Sequence, residues 1–358
     1  MARDNERRPP TIKDVAREAG VSFKTVSRVI NGSTSVNPEL RTAVETVMER
    51  LAYRPNRGAR SLRSNRSYTL ALLCGRLPPL HDVDADTPSY FTDFLLELIV
   101  GCERGSRRSG YHMILEFLDD EHDGAIEDEA RALIADLKPD GVLLAPPLSD
   151  SPALMDLLDA QDIAFARLMP GTALERGACF MIDDFAAGRE IGQQLLEAGH
   201  RDIAFVSGLP NHIAAGARYG GLAAAVAECP DARIRVIAGD FSYASGVNAA
   251  HDLFDRRDKP TAIFAANDAM AAGIINTAAQ KGVSVPSDIS VVGFDDSFFA
   301  RLLTPRLTTV RQPTREIAQT ATAMLIDSAQ NGRSLDARTV RLPYEIVTRA
   351  SLSSPLPA

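Results

Sequence analysis

Apolar residues recur at helical spacing over the first fifty positions and in short β-like runs over most of the remaining chain. Ile12, Val15, Ala16 and Ala19 form one stripe in steps of three and four, which predicts a helix. Thr11 precedes it as an N-cap candidate, and Asp14 takes the third helical position, an approximate capping box with Asp in place of Glu or Gln. Gly20 can adopt positive φ and end that helix. Ser22 is a second N-cap candidate, and Val26, Val29 and Ile30 give the next helix an inward face. Pro38 is tolerated in a first helical turn, where its missing N–H would be unbonded anyway. It opens a third helix whose Leu40, Val44, Val47 and Leu51 are expected to pack back on the pair. Two short helices joined by Ala19-Gly20-Val21 and backed by a third predict a helix-turn-helix.

From Tyr68 the pattern changes. Strands are expected over 68–74, 113–117, 141–145, 163–167, 203–207, 233–237, 262–266 and 290–294, most followed by a helix of ordinary length. Such alternation predicts parallel sheets covered on both faces. Two blocks, 68–168 and 182–300, suggest two similar α/β lobes, with 307–310 and 340–349 crossing back between them.

The charge is divided along the same boundary. The 358 residues carry a net charge of −8, yet residues 1–66 hold 14 basic against 7 acidic side chains. The head is therefore +7 and the remainder −15. A basic head can bind phosphates, whereas the acidic body repels them and must do something else. Four scattered cysteines (Cys74, Cys102, Cys179, Cys229) lack metal-ligand spacing and fit a reduced cytoplasmic protein. No apolar run reaches the roughly 18–20 residues of a membrane span, and the first ten residues lack a secretory apolar core. No phosphate-cradling loop, dinucleotide fingerprint or nucleophile elbow is present, and His200 and His251 lack metal-ligand partners. Neither an enzyme nor a bound cofactor or metal is expected, although a sugar-processing enzyme with a DNA-binding head is the other reading weighed.

The second helix presents Phe23, Lys24, Ser27 and Arg28 outward near its N-terminal end, where a recognition helix meets base edges in the major groove. Arg28 can donate two hydrogen bonds to guanine, and Lys24 can reach guanine or phosphate. Phe23 offers apolar contact, and Ser22, Thr25, Ser27 and Asn31 suit phosphate oxygens. The runs Thr11-Ile12-Lys13-Asp14-Val15-Ala16, Gly20-Val21-Ser22 and Thr25-Val26-Ser27-Arg28-Val29-Ile30-Asn31 resemble the head of the LacI/GalR family of bacterial repressors. Leu51-Ala52-Tyr53-Arg54-Pro55-Asn56 resembles the exit of that family's third helix. The resemblance implies an α/β effector domain of two Rossmann-like lobes, periplasmic-binding-protein-like, behind a small all-α helix-turn-helix domain. It implies a layout of arm (1–10), helix-turn-helix (11–55), hinge (56–66), two-lobe effector and dimerisation domain (67–350) and tail (351–358). Thr11, Tyr53 and Asn56 join the implied DNA-binding set. In the basic hinge Ala59 and Leu62 share a face, and the resemblance implies that Leu62 enters the minor groove as a wedge. The hinge is too short to be a stable helix alone, and Gly58 weakens it further.

Ligands in open α/β sheets bind beyond the carboxyl ends of strands. There stand Asn267 in Ala265-Ala266-Asn267-Asp268, Asp295 in Gly293-Phe294-Asp295-Asp296, Arg218 at a helix start, and Phe241 in Gly239-Asp240-Phe241-Ser242. A carboxylate, an arginine and an amide around an aromatic plate can grip a sugar. The resemblance implies that these four contact the effector, together with His212 and the first-lobe aromatic Phe94, with Tyr90 as the alternative. Asp183 and Asp184 lie near the implied pocket. The segment Leu209-Pro210-Asn211-His212 resembles members answering to glucosides, which favours a sugar. A purine-type corepressor stays open, since arginine and phenylalanine can also pair with and stack on a base. The expected protein is a homodimeric repressor on double-stranded, pseudo-palindromic operator DNA, because one helix-turn-helix reads too few bases. Its tail lacks the heptads of a tetramerising coil.

Overall fold

The computed structural model describes residues 10–30, 35–51, 53, 66–75, 91–107, 109–118, 125–210, 212–332 and 335–355. Most of the expected arm, Asn31, the hinge residues Asn56, Ala59 and Leu62, and Tyr90 lie outside these. The chain divides into two compact units, Met1–Tyr68 and Thr69–Ala358.

The first unit holds α1 (Ile12–Glu18), α2 (Phe23–Ile30) and α3 (Pro38–Arg50). The capping box forms in full. The Thr11 hydroxyl accepts from the Asp14 N–H at 3.4 Å, and the Asp14 carboxylate accepts from the Thr11 N–H at 2.9 Å. A cap of this kind stabilises a helix by about 1 kcal/mol. Gly20 takes φ +63° after α1, and the Ser22 hydroxyl accepts from the Thr25 N–H at 3.0 Å to start α2. Asn37 caps α3 ahead of Pro38. Val15, Ala16, Val26, Val29, Val44 and Val47 close the core as their spacing predicts, with Val36 and Tyr53 added. Two expectations fail. Leu40 is 43% exposed, because Val36, just ahead of α3, fills the core beside its first turn. Tyr53, expected at a DNA surface, turns into the core at 8% exposure, where burial raises its phenol pKa.

The second unit has two lobes. In the first, β1 (Thr69–Gly75), β2 (His112–Leu118), β3 (Gly141–Leu144), β4 (Phe165–Leu168) and β5 (Ala178–Met181) alternate with α4 (Phe91–Ser106), α5 (Ala125–Leu137) and α6 (Pro152–Ala160). The second lobe runs through α7 (Asp184–Glu197), β6 (Asp202–Val206), α8 (Ile213–Ala227), β7 (Arg233–Ile237), α9 (Tyr243–Phe254), β8 (Ala262–Ala265), α10 (Asp268–Gln280), β9 (Ser290–Val292) and α11 (Phe298–Leu302). The chain ends with β10 (Thr309–Arg311), α12 (Thr314–Asn331), β11 (Arg338–Arg341) and β12 (Glu345–Val347). All eight predicted strands form, shifted by at most two residues at the ends.

The first sheet has the order β11-β5-β4-β3-β1-β2 and the second β7-β6-β8-β9, each parallel throughout. The first block is therefore not limited to 68–168. It takes β5, and it takes β11 from far along the chain. The β5 run Ala178-Cys179-Phe180-Met181 is almost wholly buried and short, so it shows no alternation. The edge strand β11 reads Arg-Thr-Val-Arg and is exposed at both ends. Sequence patterning misses both for opposite reasons. The helix α12 returns to the first lobe, against α4 and β3–β5, before β12 pairs antiparallel with β10. The backbone therefore passes between the lobes three times, near 182, 312 and 343.

In each sheet the strand order reverses beside the first strand of the lobe, β1 and β6. Ligands in such sheets bind beyond the strand ends at these reversals. The helices α7 and α8 approach closely in the second lobe through small residues. A Cβ on Gly188 would stand 2.1 Å from the Arg218 carbonyl oxygen, and one on Gly221 would stand 2.0 Å from that of Phe185. This contact brings Asp184, at the start of α7, beside the Arg218 side chain.

Candidate functional site

The exposed side of α2 carries Lys24 and Arg28, and neither makes an ion pair or side-chain hydrogen bond among the described residues. Arg17 and Arg50, by contrast, are tied to Asp14 and Glu18. Phe23, Thr25 and Ser27 are half-buried, and Ser22 is exposed. The hydroxyls of Ser22 and Thr25 lie 2.9 Å apart and share the α2 cap. The head thus offers, on the exposed side of one capped helix, two cations with no acidic partner among the described residues.

In the second unit all six predicted effector residues gather in one region. Phe94, Asn267 and Asp295 line a cavity of about 580 Å³, with Asp93, Glu97, Ser297, Gln312 and Arg315 among the other lining residues. Phe94, Asp93 and Glu97 come from α4, and Arg315 from α12, both of the first lobe. Asn267, Asp295 and Ser297 come from the second lobe. The Asp93 carboxylate bridges the lobes by accepting from the Phe298 N–H at 2.7 Å.

The other three residues connect through neighbours. Arg218 donates from Nε to Asp184 Oδ1 at 2.8 Å and from Nη1 to the Ala266 carbonyl at 2.6 Å. Its guanidinium lies 3.6 Å over the Phe294 ring. Phe241, held at φ +70°, accepts at its carbonyl from Asn267 Nδ2 at 2.9 Å. The Phe241 ring meets His212 edge-on at 4.7 Å. Asn267 also caps α10 by accepting from the Met270 N–H, so its amide is spent on the frame. The His212 Nδ1 caps α8 by accepting from the Ala215 N–H. That acceptor role leaves the proton on Nε2, a donor.

Burial sets the ionisation of this region. It pushes Asp295 up to about 6, against the pull of the Arg218 charge. It raises Asp184 despite the same arginine. Burial, then the Arg218 charge, lower His212 to about 4, so its ring is neutral near pH 7. Asp268 is fully buried beneath the site, accepting from the Thr309 hydroxyl at 2.6 Å and the Ser297 N–H at 2.7 Å. Gln312 donates to Asp295 Oδ1 at 2.6 Å, but its own Oε1 is buried with no partner among the described residues, as is Ser297 Oγ. Two orphaned polar atoms on one cavity wall mark a place for a polar ligand. Sequence reasoning passed over Asp93, Glu97 and Gln312. The signal for Gln312 was its place just ahead of a helix, where the chain changes lobes.

The comparisons with known proteins agree with this layout. Residues 11–56 match the lacI family of bacterial regulatory proteins, and residues 193–352 match a periplasmic binding protein-like domain. The chain is 33% identical over 347 residues to the HTH-type transcriptional repressor PurR of Pectobacterium carotovorum, covering 96% of this chain and 97% of that protein. It is 35% identical over 346 residues to PurR of Photorhabdus laumondii, covering 96% of each. Among solved structures, a transcriptional regulator CelR–cellobiose complex superposes with a TM-score of 0.69 at 30% identity, covering 96% of this chain and 99% of that one. The lac repressor dimer bound to operator and the anti-inducer ONPF gives 0.74 at 26% identity, with the same coverage. With a helix-turn-helix head, two parallel-sheet lobes around a polar cleft, and relatives of this similarity over nearly its full length, the chain belongs to the lacI family of bacterial DNA-binding transcriptional regulators.

Proposed function

We propose that this regulator is a homodimeric repressor whose operator affinity is set by a sugar or glucoside bound between the lobes. The α2 side chains Lys24 and Arg28 read bases, Thr11, Ser22, Thr25 and Ser27 steady the head on phosphates, and the hinge around Leu62 enters the minor groove. The observation that carries the effector reading is a cavity wall that includes Asp295, Gln312 and Ser297, the last two each with a buried side-chain oxygen lacking a partner among the described residues. These are chiefly acceptors, and a sugar presents hydroxyl donors on every edge. His212 Nε2 and Arg218 supply donors for the ring oxygens, while Phe94 and Phe241 offer apolar faces. Lobe closure on the effector then shifts the geometry of the two hinges in the dimer. The purine reading gains support from the PurR relatives, and the CelR–cellobiose structure supports the sugar.

A thermal-shift screen against mono- and disaccharides, glucosides and purines tests this. A ligand at 100 times its dissociation constant stabilises by about 2.7 kcal/mol. A sugar hit supports the proposal. A hit by purines alone keeps the regulator and overturns the sugar.

Asp295 adds a pH dependence. An effector hydroxyl donating to its carboxylate requires the ionised form, and the free site titrates near 6. Affinity is expected to be constant above about pH 7 and to fall about tenfold per unit as pH drops below 6, as far as the lower pKa of the complex. Calorimetric titration between pH 5 and 8 checks this, and a flat profile removes Asp295 from the contact set.

A further inference from the structure

We propose that Asp184 sets the charge selectivity of the cleft. By neutralising Arg218 it restricts the effector to uncharged molecules and turns away sugar acids, sugar phosphates and other anions. This rests on the effector-cleft reading above.

The argument is a count of cations against carboxylates. Arg218 and Asp184 form a 2.8 Å ion pair whose side chains are 6% and 8% exposed. A guanidinium so paired offers a ligand much less positive charge than a free one would. The close contact of α7 with α8 at Gly188 and Gly221 sets the two helices side by side, and Arg218 Nη1 also donates to the Ala266 carbonyl, which holds the guanidinium beside Asp184. The other arginines on the cavity wall are also committed, Arg301 and Arg311 to Asp296 and Arg315 to Glu97. Carboxylates remain in excess. Asp295 accepts only an amide from Gln312, Asp93 accepts a backbone N–H, and the Glu316 carboxylate makes no ion pair or hydrogen bond among the described residues. Among the described residues lining the cleft, carboxylates outnumber arginines, and each of those arginines already holds a carboxylate, so an entering anion finds no arginine without an acidic partner there.

The charge of Asp184, and not its hydrogen bond, is the selective element. Asparagine at 184 would still accept from Arg218 Nε, but it would leave the guanidinium charge uncompensated. The cleft would then offer an anion a buried, preformed partner.

The test is isothermal calorimetry on the full-length protein with matched neutral and anionic ligands: glucose against gluconate and glucose 6-phosphate, cellobiose against cellobionate, hypoxanthine against urate. In each pair that binds the wild type, the neutral member is expected to bind at least about tenfold more tightly. In Asp184→Asn this preference is expected to shrink about tenfold or more, through a gain by the anion. An anion that binds the wild type as well as its neutral partner overturns the inference and leaves the cleft reading standing. So does an unchanged preference in an Asp184→Asn protein that melts cooperatively. If that variant does not fold, Asp184→Ser and the wild-type ratios decide the point. Binding of neither class by a protein that still binds DNA overturns the effector-cleft reading, and this inference with it.

Discussion

Asp296→Ala is expected to cost about 3–5 kcal/mol of unfolding free energy, the range for breaking a buried ion cluster by removing one partner. The Asp296 side chain is fully buried and accepts from Arg311 Nε at 2.8 Å, Arg301 Nη2 at 3.2 Å and Arg349 Nη2 at 2.5 Å. These reach it from β10, α11 and the stretch after β12, so one carboxylate fastens three segments of the second lobe. Arg349 is itself only 14% exposed and would be left without a counter-charge. Asp296 also sits at φ +52°, which aspartate and asparagine tolerate better than alanine. Asp296→Asn, which keeps an acceptor and the backbone preference, is expected to cost less. Urea unfolding followed by circular dichroism compares the two. A loss below about 1 kcal/mol in Asp296→Ala would place the arginines in water and remove the clamp.

The same cluster predicts the direction of acid sensitivity. Burial opposes ionisation of Asp296, but hydrogen bonds from Arg349 and Arg311 outweigh it and hold the carboxyl below the usual range. Its stabilisation is therefore complete above the unfolded value near 3.9 and is lost as pH falls through the lower folded value. Asp295, raised by burial, acts with the opposite sign. It favours the folded chain at acid pH, and that advantage is withdrawn between the unfolded value near 3.9 and about 6.

Arg28→Ala is expected to weaken binding to the cognate operator about 10- to 100-fold, the worth of one bidentate guanine contact. Binding to scrambled duplex should change little and keep most of its salt dependence, because that part comes from phosphates. Arg28 is exposed, has no acidic partner among the described residues, and follows a capped helix start at Ser22. Its guanidinium is thus available without first breaking an ion pair. Fluorescence anisotropy at fixed salt, on an operator selected from a random pool by the wild type, separates the two classes. An equal loss on both duplexes would make Arg28 a phosphate contact.

Much of this was legible because local chemistry and global fold agree at the decisive positions. Thr11 with Asp14, Gly20 and Ser22 punctuate the head as their side chains dictate, and the parallel strands announce themselves as short apolar runs between helices. The clustering of Arg218, Phe241, Asn267 and Asp295 accords with the rule that ligands collect beyond strand ends. What escaped was set by long-range placement. Nothing local to Tyr53 separates a core ring from a surface one, and Leu40 has the right spacing for a core that Val36 had already filled. The pairing of Asp184 with Arg218, 34 positions apart, depends on how two helices touch. Nor did any pattern reveal that Gln312 would leave an acceptor unsatisfied against the cavity.

The position of β11 bears on how the protein is made. The first lobe begins at residue 69, yet the outer edge of its sheet is supplied by residues 338–341. On a translating ribosome the exposed side of β5 must therefore wait until nearly the whole polypeptide has emerged. Throughout that interval it is a bare strand edge open to pairing with other chains. The second lobe has all four of its parallel strands in hand by residue 292. The sheet begun first is thus the sheet finished last, and nascent chains halted before residue 338 are expected to be the species that chaperones hold.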